Sequence, residues 1–110
     1  MEAAARAYFE VWNTRSGEAV GALFAPDGTL RDWEIEAVGA AAVAAANAKI
    51  FAAVPAIRIE VLHVHVAEAT RTATCEILVH VNPETILKVC DVISFAPGSL
   101  LIAALRAYKG

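Results

Sequence analysis

The stretch ILKVCDVISF, residues 86–95, sets a carboxylic acid inside a run of apolar side chains. Every second residue of an extended chain faces the same way, so Asp91 shares a face with Leu87, Val89, Ile93 and Phe95. The strand's one basic residue, Lys88, falls on the opposite face. Burial without a counter-charge disfavours the ionised form, lifts the pKa out of the carboxylate range and leaves a hydrogen-bond donor at neutral pH. The competing arrangement is a carboxylate paired with a buried cation or with backbone amides of another element.

Other residues with chemical potential carry weaker patterns. His63 and His65 stand at i, i+2 and share a strand face, with His80 on a neighbouring strand. Two such imidazoles can ligate a metal, but no carboxylate or cysteine is placed to complete the set. A polar outer face or a subunit contact is expected there, and no metal is assigned. Cys75 and Cys90 lack metal-ligand spacing and read as free, buried thiols of a cytoplasmic protein.

The elements that must position these groups follow from periodicity and turn chemistry. Ala5, Tyr8, Phe9 and Trp12 recur at helical spacing and predict an amphipathic helix over 2–14. Ser16 suits the N-cap of a second short helix reaching Phe24, and APDG at 25–28 reads as a turn. TLRDWEI, 29–35, suits a short strand. An alanine-rich helix is predicted over 39–53, closed by Pro55, with Val43, Ala46, Ile50 and Phe51 on one side. Four strands then alternate with breaks at NPE and APGS: 56–66, 71–81, 85–95 and 100–108. Matching the apolar faces across NPE puts Asp91 beside Ala73 or Cys75. Helices followed by a run of strands imply an α+β domain spanning 1–110, with helices on one face of a curved antiparallel sheet and an apolar pocket at its open end. Trp12, Trp33, Phe24 and Phe51 are expected in the core.

Composition narrows the partners. The chain of 110 residues is 58% hydrophobic, and its mean hydropathy of +0.54 points to an apolar pocket or a buried subunit contact. A net charge of −3 with nine scattered Lys and Arg argues against nucleic-acid or anionic-membrane binding. The longest charge-free stretch outside the strands is too short and too rich in Gly and Ala to span a bilayer, and no signal peptide is read.

The order of these elements, with YFEVWNTRSGEAVGALFAPDGTLRDW near the start and DVISF…LRAYKG at the end, resembles the SnoaL-like and ketosteroid-isomerase-like group of the nuclear-transport-factor-2-like cone superfamily, over nearly the whole chain. The resemblance implies a cystatin-like roll, a homodimer and no cofactor. It also implies three polar groups in an apolar cone. Tyr8 stands at the position of the tyrosine that donates to an enolate oxygen. Asp32, 24 residues later, stands at the general base. Asp91 stands at the protonated acid that completes the oxyanion hole. Where the bacterial isomerases carry further tyrosines, this chain has Phe24 and Asn47.

The implied reaction removes a proton α to the ketone of a small apolar substrate and returns it elsewhere, as in steroid Δ-isomerisation. Trp12, Phe24 and Asn47 are the expected substrate-binding residues. The same resemblance leaves open a SnoaL-like polyketide cyclase, whose ligand would be polyketide-like, and a non-catalytic ligand-binding or dimerisation module.

Overall fold

The computed structural model describes residues 1–110. Helix α1 spans Glu2–Trp12 and α2 spans Gly17–Gly21. Strands β1 (Phe24–Arg31) and β2 (Glu36–Val38) precede helix α3 (Ala40–Ala53). Four longer strands follow: β3 (Arg58–Ala67), β4 (Thr72–Asn82), β5 (Thr85–Phe95) and β6 (Ile102–Lys109). All six strands form one sheet in the order β2-β1-β6-β5-β4-β3.

The helices form where the apolar spacing predicts them. Ala5, Tyr8, Phe9 and Trp12 are the buried residues of α1. The Ser16 hydroxyl accepts the Ala19 amide at 3.1 Å and starts α2, relieving one of the unpaired donors of a helix N-terminus. α2 stops at Gly21, short of Phe24, because the chain must enter β1 there. It lies close against α3: a Cβ added at Gly17 would stand 2.5 Å from the Ala44 carbonyl oxygen.

Asn13 docks the end of α1 onto β3. Its amide nitrogen donates to the Ile59 carbonyl at 2.8 Å, and its oxygen accepts the Ile59 amide at 2.7 Å. An inner-face core, including Phe9, Val20, Val43, Ile77, Ile93 and Leu105, joins the helices to the sheet.

Three local expectations are corrected. APDG is not a free turn but an irregular part of β1. The pairing of β1 with β6 jumps from Phe24–Ile102 to Thr29–Ala104, so the turn-forming residues are absorbed as a bulge. TLRDWEI is not one strand. β1 ends at Arg31, residues 32–35 reverse the chain, and β2 returns antiparallel with Arg31 opposite Glu36. Finally, the sheet is mixed, because β1 and β6 pair in parallel. Local alternation reports strand character but carries no record of which distant strand lies alongside.

The register around Asp91 is as the facing patterns require. Asp91 pairs with Cys75 on β4 and with Ala107 on β6. Val89, Asp91, Ile93 and Phe95 alternate as the buried residues of β5.

Candidate active site

The concave face of the sheet and the helices enclose a cavity of about 420 Å³, within the range of small-molecule sites. Tyr8 and Trp12 reach it from α1, Asn47 and Ile50 from α3, and Ile77, Leu87, Val89 and Leu105 from the strands. Asp91 enters from the sheet floor, where its strand neighbours are the small residues Cys75 and Ala107. Asp32 follows the in-register pair Arg31–Arg106, which sets it level with Ala107 and therefore with the row that holds Asp91. Topology alone thus brings residues 32 and 91 to one wall.

The Asp32 carboxylate is fixed by its own turn. Oδ1 accepts the amides of Glu34 at 2.7 Å and Ile35 at 2.6 Å, while the Asp32 amide donates to the Ile35 carbonyl at 2.9 Å. Oδ2 accepts no hydrogen bond from the protein, and Asp32 lines the cavity. A short Asx turn therefore fixes the carboxylate through one oxygen and leaves the other free of protein donors.

Tyr8 and Asp91 are differently poised. Tyr8 is 3% and Asp91 5% exposed, and neither the hydroxyl nor the carboxyl hydrogen-bonds within the protein. Arg71 Nε is the one fully sealed side-chain polar atom lacking a partner, so both groups keep access to the cavity. Burial, and secondly the charge of Asp32, pushes Asp91 from the usual carboxylate range up to about 7. A large share of Asp91 is therefore a neutral donor at neutral pH. Burial, with Asp91 and Cys75 adding, drives the Tyr8 hydroxyl well above its ordinary value. Burial also lifts the Cys75 thiol to about 12, so it is inert as a nucleophile.

Of the residues singled out in the sequence, Tyr8, Trp12, Asp32, Asn47 and Asp91 border this one cavity. Asn47 does so with its polar groups largely engaged. It accepts the Trp12 indole N–H at 3.0 Å and donates to the Val43 carbonyl at 3.0 Å. Phe24 is a correction: it stands outside the lining and packs edge-on against Tyr8, ring centroids 6.3 Å apart. The entry of the chain into β1 places Phe24 behind Tyr8.

Trp33 is a second correction. It is 41% exposed at the tip of the 32–35 turn, lines the cavity there, and carries the Lys109 ammonium 5.4 Å from its ring centroid. No local signal separates it from a core tryptophan, because residues 29–35, which hold the reversal that exposes it, carry the residue types of a continuous strand. The histidines lie on the convex face, where His65 meets Glu76 at 2.7 Å and His80 meets Glu60 at 2.9 Å.

The model of the family described as SnoaL-like domain matches residues 5–102. The chain belongs to the SnoaL-like domain family. Solved structures share the fold at low identity. A protein with a cystatin-like fold from Methylobium petroleophilum PM1 superposes with a TM-score of 0.85 at 18% identity, covering 99% of this chain and 74% of that one. A candidate ketosteroid isomerase from Kribbella flavida DSM 17836 gives 0.80 at 18% identity, covering 98% and 76%. SalBIII, an epoxide hydrolase/cyclase-like enzyme of pyran ring formation in the polyether salinomycin, gives 0.78 at 16% identity, covering 99% and 89%. No curated protein matches the chain in sequence. This SnoaL-like chain is thus an α+β cone of the cystatin-like type, and none of its helices is long and apolar enough to cross a membrane.

Proposed function

We propose that the chain is a cofactor-free enolising isomerase acting on a small apolar ketone. The observation that carries this reading is the pair of unpartnered groups, the Tyr8 hydroxyl and the Asp91 carboxyl, sharing an apolar cavity with Asp32. Asp32 takes a proton from the carbon α to the ketone; the electron pair of that C–H bond becomes the C=C bond of an enolate, and the carbonyl π pair moves onto oxygen. Tyr8 and protonated Asp91 donate hydrogen bonds to the resulting enolate. In a β,γ-unsaturated ketone the enolate is a dienolate, and Asp32 returns the proton to its γ carbon, which moves the double bond into conjugation. Donors aimed at developing charge in a dry site are each worth on the order of 10² to 10³ in rate.

The family resemblance supports the same reading, and with it a homodimer and a steroid-like or polyketide-like ligand. Polyketide cyclisation starts at the same kind of acidic carbon, so the likeness in fold to SalBIII fits either reaction. The deciding assay follows conversion of a β,γ-unsaturated 3-ketosteroid to its conjugated isomer by absorbance. The parent is expected to turn it over, and Asp32→Asn to lose on the order of 10² to 10⁴ in kcat. A parent that binds the ketone without converting it would mark a binding module instead.

A further inference from the structure

The cavity lining is unbalanced in charge. Of its 21 residues the four that are not hydrophobic are Asp32, Glu34, Asn47 and Asp91, and no lysine, arginine or histidine reaches it. Asp32 and the buried Asp91 therefore share one apolar hollow with exposed Glu34 on its border, and no cationic residue belongs to the lining. In such surroundings charge is weakly screened, so an entering anion is repelled and an entering cation drawn in. Asp91 is nine-tenths buried, faces the cavity and has no hydrogen-bond partner. Asp32 offers Oδ2, its other oxygen being held by two amides. The rings of Tyr8, Trp12 and Trp33 border the same space, and aromatic rings attract desolvated cations. At Trp33 an ammonium, that of Lys109, already lies beside the ring.

We infer that this cavity binds an apolar ligand bearing a protonated amine, with the nitrogen lodged between Asp32 and Asp91. The inference goes beyond the enolisation reading, in which the ligand is a neutral ketone, and stands on the lining alone. The volume holds a ligand of about 20 non-hydrogen atoms at protein packing density. Phosphates, carboxylates and thioesters of anionic carriers are excluded by the same charges.

The ammonium would replace the proton on Asp91. Facing Asp91 are Tyr8 from α1, Asp32 from the end of β1 and Cys75 from β4, with Cys90 adjacent on β5. Tyr8, Cys75 and Cys90 are all pushed upward, which leaves Asp91 as the group that releases a proton near neutrality.

Titration calorimetry with 1-naphthylmethylamine and its neutral isostere 1-naphthylmethanol tests the inference. The amine is expected to bind on the order of tenfold tighter or more at neutral pH. Run in two buffers of different ionisation enthalpy, it should release protons that the alcohol does not. Asp91→Asn should abolish that release, and Asp32→Asn, which keeps the turn's acceptor oxygen, should reduce the preference. Equal affinity for the two probes, or a preference that survives in the double variant, overturns the inference; the first comparison needs no variant. The ketone assay separates the two readings. Turnover without amine preference sinks this inference alone, and amine preference without turnover sinks the isomerase alone.

Discussion

At Asp91 the chemistry is set by burial first and by the charge of Asp32 second. Its strand neighbours Cys75 and Ala107 offer the carboxyl no hydrogen bond, and the acid is buried yet borders the cavity. Its folded pKa of about 7, against 3.8 for an ordinary aspartate, makes stability depend on pH with a definite sign. Between those values the folded protein holds a proton that the unfolded chain has lost. Stability therefore falls as pH rises through this window, being fully present below about 4 and lost above about 7, by up to about 4 kcal/mol. Denaturant titrations of the parent and Asp91→Asn across pH 4 to 8 should diverge with the variant gaining at high pH. Parallel curves would mean that Asp91 is not buried as a neutral acid. Asp32, by contrast, is governed by its own turn, and its orientation comes from two amides two and three residues ahead.

The elements hold the cavity open by close approach elsewhere. α2 is too short to be stable alone and depends on α3. At Gly17 an added methyl would fall 2.5 Å from the Ala44 carbonyl oxygen and 2.7 Å from the Ala48 amide nitrogen, both backbone atoms of α3. Gly17→Ala is therefore expected to destabilise the fold by about 1 to 3 kcal/mol, read as a lowered denaturation midpoint with an unchanged slope. Since α3 supplies Asn47 and Ile50 to the cavity, the variant should also weaken ligand binding. The β1–β2 hairpin does two jobs, presenting Asp32 to the cavity and Trp33 to its mouth.

On the whole molecule, the convex face of the sheet leaves Ile86 and Tyr108 about half exposed, on the side opposite Asp91. The proposed homodimer would use this face, and a stable pairing needs roughly 800 Å² from each partner. Light scattering is expected to give twice the chain mass of 11.6 kDa, and Ile86→Glu with Tyr108→Glu to return the monomer. A monomeric parent would count against the proposed dimer.

The order of the helices and of the four long strands, the inward face of β5 and the absence of a cation on that face of β5 were legible in the residues. Each follows from a period of two or 3.6 along a short stretch, and such periods survive folding because every element must bury one face. The β4 partner of Asp91 was narrowed to Ala73 or Cys75 by matching apolar faces across one turn, and the structure chose Cys75. Three features were decided only by the tertiary structure. The parallel contact of β1 with β6 joins segments more than 70 residues apart, and it is this contact that brings Asp32 to the row of Asp91. The bulge at 25–28 and the hairpin at 32–35 come from the same constraint, as β1 must bend to follow β6 and then turn back. The placing of Phe24 behind Tyr8 and of Trp33 at the mouth depends on where those bends fall. Local sequence sets which residues are apolar and how they alternate; which distant wall they meet is set by packing across the whole chain.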